Sequence, residues 1–332
     1  MKTLNIGLIG CGVMGRSLAN SLVKVDSARL AVVCDPVRDA AKSASNEYGV
    51  PLSTEVDQVL GRKRLDGVIV APPPFKHKEV CNAAAKAGKH VFVEKPLAAN
   101  VKDCNSIIRA AKRAKVKLMV GQVCRYHGVH RRVRDMVKDG AIGDPIYMHV
   151  HRIGGGFGGI WAKSWRNSRK MSGGTLMEVN AHEIDFMRFV CGDVAKVYAA
   201  GGNFVNPQCD YPDVASLTLH FESGAVGHMH SSSASAIGGY GGRVDGTEGS
   251  LDFPQFWGAE GGIHYKRQGE DAKVIPFAEI KVKEPVQAEL EAWLSAIRND
   301  EEPEIPGTEG RANVQVAEAA YESIETGKVI EL

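Results

Sequence analysis

Lys95 stands directly after a short apolar run, His90 to Val93, in the tripeptide Glu94-Lys95-Pro96. A lysine beside a buried strand is partly desolvated and can serve as an acid, a base or a hydrogen-bond donor to a substrate oxygen. An ordinary exposed lysine after a strand is the plain alternative. Glu178 and His182 are spaced i, i+4 in a stretch, Thr175 to Val190, whose pattern predicts one helix, so both share a face. A histidine there can take a hydroxyl proton while hydride leaves the adjoining carbon. A neighbouring carboxylate would orient it and raise its basicity. Asp185 follows at i+3 from His182. A paired, structural helix histidine is the competing reading.

His149 and His151 fall on one face of a predicted strand, as do His228 and His230. Two such pairs raise the question of a metal. H-x-H alone is a weak signal, no Cys/His cluster of zinc spacing accompanies it, and no metal is expected. These histidines read as strand-face residues near substrate. Trp161 and Trp165 offer flat faces to a sugar ring, although tryptophans more often fill cores or interfaces.

The elements that must position these groups begin at the N-terminus. The apolar run Leu4 to Ile9 meets three glycines, Gly10, Gly12 and Gly15, spaced G-x-G-x-x-G, and a helix is predicted from Arg16 to Val25. Strand, tight turn and helix in that order suit a pyrophosphate: the backbone comes close where no Cβ intervenes, and the helix N-terminus supplies N–H groups. A second strand ends at Asp35, 20 residues beyond Gly15, where a carboxylate accepts hydrogen bonds from the ribose hydroxyls. That favours NAD; Arg38 nearby leaves NADP open. Strand and helix signals then alternate to about residue 122. Leu65 to Ala71 is nearly continuous in apolar residues and stops at Pro72-Pro73-Pro74. Gly10, Asp35, Pro72 and Lys95 all fall at carboxyl ends of predicted strands, where doubly wound sheets bind ligands.

After residue 122 the texture changes to alternating runs separated by turn signals, with two helices near the end, Val286 to Arg298 and Arg311 to Thr326. The expected fold class is α/β: a doubly wound parallel sheet over 1–122, then an α+β domain over 123–332 with a large open, mostly antiparallel sheet. The chain of 332 residues is long enough for two such domains. A net charge of +2 gives no argument for nucleic acid or an anionic membrane surface, and no apolar run reaches the ~18 residues of a span. The seven cysteines are odd in number and lack C-x-x-C spacing. They read as reduced thiols of a cytoplasmic protein, in keeping with a start, Met1-Lys2-Thr3, that lacks a signal-peptide pattern.

The residues also resemble a known family, the glucose–fructose oxidoreductase / inositol dehydrogenase / rhizopine-catabolism (Gfo/Idh/MocA) proteins, over nearly the whole chain. The resemblance is carried by Gly10-Cys11-Gly12-Val13-Met14-Gly15, Asp35-Pro36, Ala71-Pro72-Pro73 with His77, and Glu94-Lys95-Pro96. It continues through Trp165-Arg166, Ser172-Gly173-Gly174, His182 with Asp185, Gly246-Thr247-Glu248-Gly249 and Tyr321-Glu322-Ser323. It implies a Rossmann domain whose nicotinamide nucleotide meets Gly10, Gly12, Val13, Met14, Asp35, Arg38, Ala71, Pro72, Pro73, His77 and Glu94. It implies that Lys95 is the substrate lysine and His182 the catalytic histidine. Glu178 stands where members usually carry aspartate in D-x-G-x-H-x-x-D, and Asn180 replaces the glycine. Expected substrate contacts are Arg125, Tyr126, His151, Trp165, Arg166, Asn180 and Asp185. The implied activity is NAD(P)-dependent oxidation of a secondary alcohol of a sugar, polyol or sugar derivative, by a homodimer or homotetramer. Redox-neutral elimination, epimerisation or glycoside cleavage with retained NAD is the first alternative. A non-catalytic nucleotide-sensing regulator is the second.

Overall fold

The computed structural model describes residues 3–154, 164–257 and 261–332. The glycine-rich run after Gly154, with Trp161, lies outside the described residues. The chain forms two compact units, Met1–Val123 with Lys283–Arg311, and Cys124–Val282 with Ala312–Leu332.

In the first unit strands and helices alternate: β1 (Leu4–Ile9), α1 (Val13–Leu22), β2 (Ala28–Cys34), α2 (Arg38–Tyr48), β3 (Leu52–Ser53), α3 (Val56–Leu60), β4 (Gly67–Val70), α4 (His77–Lys86), β5 (His90–Glu94), α5 (Val101–Ala114) and β6 (Leu118–Gly121). All six strands run parallel in the order β3-β2-β1-β4-β5-β6. The order reverses between β1 and β4, so a crevice opens at their carboxyl ends. Every residue of β4 is buried, as its unbroken apolar run requires of a strand covered on both faces. Helix α1 starts at Val13, three residues before the periodicity suggested, because the chain turns helical directly after Gly12.

The second unit carries α6 (Gly128–Lys138), β7 (Pro145–Ile153), α7 (Arg169–Ser172), α8 (Thr175–Glu178), α9 (Ala181–Cys191), β8 (Val194–Gly202), β9 (Val214–Phe221), β10 (Val226–Ser232), β11 (Gly239–Gly246), β12 (Gly249–Phe253), β13 (Gly262–Arg267) and β14 (Lys273–Pro276). After α10 (Pro285–Asn299) and α11 (Gly307–Thr326), the strand β15 (Ile330–Glu331) completes a nine-stranded sheet. Its order is β14-β13-β12-β11-β7-β10-β9-β8-β15. The pairing is antiparallel except between β7 and β10, which run parallel at its centre, so the sheet is mixed and not a plain meander. Helix α9 lies across β7 and β10. Met148 and Val150 point beneath it and are wholly buried, while His149 and His151 alternate to the other face.

Two expectations change. The single helix over 175–190 is two helices, broken at Val179 and Asn180. The division after residue 122 also misses a return of the chain. Residues 283–311 belong with the first unit, because Leu290, Trp293 and Leu294 of α10 are wholly buried against α1 and β5. The Trp293 ring lies 5.8 Å from that of Phe92.

Candidate active site

In the first unit a nucleotide cradle is built at the carboxyl ends of β1, β2, β4 and β5. Gly10 has φ +97°, and a Cβ there would stand 2.6 Å from the Ala71 carbonyl carbon and Pro72 nitrogen, so the first turn closes tightly on the end of β4. A Cβ on Gly15 would fall 1.9 Å from the Gly10 oxygen, whereas a Cβ on Gly12 would meet nothing within 4 Å. The middle glycine therefore borders open space, as a close approach by pyrophosphate requires. Asp35 fixes this turn: Oδ2 accepts from the Cys11 N–H at 2.8 Å and Oδ1 from the Val37 N–H at 2.9 Å. Val13 is 72% and Met14 40% exposed at the start of α1, and Arg38 is exposed at the start of α2. Such apolar exposure around an open cradle fits a dinucleotide. Burial, with Asp35 close by, pushes the Cys11 thiol up to about 12, so it stays protonated and takes no nucleophilic part.

Lys95 is half-buried at the end of β5, and its N–H donates to Glu94 Oε2 at 3.2 Å. Ala71, Pro72 and Pro73 are half-buried at the end of β4. His77, expected to face the nucleotide, is instead wholly buried, with Nδ1 2.9 Å from the Pro96 oxygen and Nε2 2.8 Å from the Pro72 oxygen. It straps two loop ends together. Burial holds its pKa below the usual histidine value, against the pull of the carbonyls.

In the second unit Ser172-Gly173-Gly174 turns the chain into α8. Gly174 has φ +71°, and a Cβ there would stand 2.3 Å from the Tyr321 hydroxyl, which accepts the Leu176 N–H at 2.9 Å. This turn places Glu178 at the end of α8, where Oε1 accepts from Arg166 Nε at 3.3 Å. The Arg166 guanidinium lies 4.2 Å from the centre of the Trp165 ring. His182 follows in the first turn of α9, half-buried. Glu178, paired with Arg166, ends α8 and His182 begins α9, so the two flank the break between these helices and do not share one continuous helical face.

Other expected contacts are placed differently. Arg125 and Asp185 form a buried bidentate ion pair, with both distances 2.7 Å, and Asn313 Nδ2 donates to the same carboxylate at 2.8 Å. These groups hold α9 in place. Tyr126 is buried, with the Arg131 guanidinium 5.1 Å from its ring. Asn180 is wholly buried: its Oδ1 accepts from Ser231 Oγ at 2.7 Å and its Nδ2 donates to Glu183 Oε2 at 2.8 Å. His151 lies on the sheet face away from α9, its ring 5.4 Å from that of His149, which is equally far from His228. Among the described residues no group of three or more His, Cys, Asp or Glu could hold a metal ion. The residue on the α9 face of β7 is Arg152, which donates to Glu183 Oε1 at 3.3 Å. The signal was present in the period-two alternation of β7, which sends residues 151 and 152 to opposite faces.

Comparison with known proteins adds the following. The family described as "Oxidoreductase family, NAD-binding Rossmann fold" matches residues 4–122, and the "GFO/IDH/MocA C-terminal domain" matches residues 130–252. A 2,7-anhydro-N-acetylneuraminate hydratase of Escherichia coli is 30% identical over 75% of this chain and 67% of its own. A myo-inositol 2-dehydrogenase of Thermotoga maritima is 27% identical over 99% of this chain and 98% of its own. Among solved structures, an aldose-aldose oxidoreductase of Caulobacter crescentus complexed with glycerol has a TM-score of 0.90 at 26% identity, covering all of both chains.

Proposed function

Because the chain belongs to the Gfo/Idh/MocA oxidoreductase family, whose N-terminal domain binds NAD, we propose that it oxidises a secondary alcohol of a sugar, polyol or sugar derivative. The observation that carries this reading is the break between α8 and α9, where Glu178, paired with Arg166, ends one helix and His182 stands in the first turn of the next. His182 accepts the hydroxyl proton. Lys95 donates a hydrogen bond to a substrate oxygen and stabilises its developing negative charge. Glu178, oriented by Arg166, holds the substrate or His182. The nicotinamide, when bound, accepts the hydride. Asp35 favours NAD, since its carboxylate would repel a 2′-phosphate. A homodimer or homotetramer through the face of the second sheet away from α9 belongs to the same reading, and the sedimentation velocity mass checks it.

The E. coli relative named as a hydratase supports a second reading, in which retained NAD oxidises the substrate transiently to allow elimination. One experiment separates the two. The purified protein is assayed for bound cofactor, then mixed with NAD or NADP and a panel of sugars, polyols and glycosides. Growth of reduced-nicotinamide absorbance with one substrate class supports the dehydrogenase. Substrate consumed over a retained cofactor, with no net absorbance change, supports redox-neutral chemistry. A protein that binds NAD but consumes nothing in the panel counts against both.

A further inference from the structure

A line of buried hydrogen bonds in the second unit ends in one half-exposed guanidinium. Ser231 Oγ donates to Asn180 Oδ1 at 2.7 Å, Asn180 Nδ2 donates to Glu183 Oε2 at 2.8 Å, and Arg152 donates to Glu183 Oε1 at 3.3 Å. Ser231, Asn180 and Glu183 are all buried, Glu183 completely, while 36% of the Arg152 side chain is exposed. The guanidinium also lies 5.0 Å from the centre of the Tyr240 ring. A buried carboxylate needs a cation beside it, and a flexible cation held by a fixed carboxylate and a ring keeps few orientations. This arrangement sits on the α9 face of β7, and Asn180 is two residues from His182.

We infer that Arg152 binds and orients the substrate, with Asn180, Glu183 and Ser231 as positioning residues, and that the substrate class is a neutral sugar or polyol. The inference rests on the functional reading above. Glu183 offsets the charge of Arg152, so the guanidinium offers directed N–H donors with little net charge. Such a group suits hydroxyl and ring oxygens. A carboxylate or phosphate at the same place would face the Glu183 charge across the guanidinium.

The test uses the full-length protein with saturating NAD and three probes: myo-inositol, D-glucose and D-glucuronate. Wild type, R152Q, R152K and N180G are compared by steady-state kinetics. R152Q is expected to raise KM for the preferred neutral probe about tenfold or more while kcat changes less than about threefold and KM for NAD stays unchanged. R152K should recover part of the loss, and N180G should raise KM in the same direction by a smaller factor. An unchanged KM in R152Q overturns the inference, as does a parallel loss in kcat and in NAD affinity, the mark of general damage. A wild-type preference for D-glucuronate that R152Q abolishes overturns the neutral class. If wild type turns over none of the probes, the functional reading fails separately. Heats of binding of the same probes to NAD-loaded wild type and R152Q then decide the inference, and equal heats, or none, overturn it.

Discussion

Arg125 and Asp185 face each other in a bidentate ion pair, both contacts 2.7 Å, with side chains almost completely out of solvent. The carboxylate also accepts from Asn313, whose own oxygen accepts from Arg188 at 2.7 Å. Asp185 is thus spent on structure. Asp185→Ala would remove the carboxylate that pairs with the buried Arg125 guanidinium, at a cost of about 3–5 kcal/mol. Urea unfolding followed by the second unit's tryptophan fluorescence should show that loss. Unchanged stability with a large rise in substrate KM would instead make Asp185 a substrate contact.

Gly12 and Gly15 belong to one motif but should fail differently. Gly12→Ala has room for its methyl and a φ of −73°, so the fold should keep its melting temperature. The methyl occupies the approach to the pyrophosphate, and NAD should bind about tenfold or more weakly by fluorescence titration. Gly15→Ala puts a methyl into the Gly10 carbonyl, and backbone cannot yield as a side chain can. Its melting temperature should drop, and equal melting of both variants would contradict this division of labour.

Much of this was legible from sequence because the signals were local. Continuous apolar runs such as β4 and the glycine turn after β1 each depend on residues within a few positions. The break at Asn180 was not legible. It is accompanied by hydrogen bonds to Glu183, three residues on, and to Ser231, 51 residues on. Asp185 looked chemical by spacing until Arg125, 60 residues earlier, claimed it. The return of α10 was hidden for the same reason. Its apolar stripe was readable, but not which surface would cover it.

Lys95 gives the most direct check on the chemistry. Lys95→Ala should lower kcat about 10²–10⁴-fold while leaving NAD affinity and melting temperature near wild type. Lys95→Arg should rescue little, since a planar fork does not reproduce a compact ammonium donor. Near-wild-type turnover by Lys95→Ala would remove it from the reaction.

His130 is wholly buried in the second unit, and among the described residues neither ring nitrogen has a hydrogen-bond partner. Its ring stacks on Phe256 at 3.9 Å and meets the edge of Phe186 at 4.6 Å. Burial, with His127 and Arg152 adding to it, holds its pKa well below 6.5. Below that pH the unfolded chain takes up a proton that the folded chain refuses, so stability falls as pH falls. The slope from this residue is about 1.4 kcal/mol per pH unit. His130→Phe keeps an aromatic ring of nearly the same shape and should flatten the acid limb of the stability–pH curve. An unaltered limb would show that His130 does not set it.

Glu289 of α10 produces the opposite slope in the first unit. It is buried, its Oε2 has no hydrogen-bond partner among the described residues, and burial together with Glu94 and Glu284 raises its pKa well above 4.5. Above that pH the unfolded chain has released a proton that the folded chain still holds. Stability therefore falls as pH rises, by about 1.4 kcal/mol per unit, until Glu289 ionises in place. Glu289→Gln retains the shape without a proton to lose. At pH 8 this variant should be more stable than wild type, and at pH 4 the two should converge. If the Glu289→Gln protein proved less stable at both pH values, the native carboxyl would have to be ionised and paired.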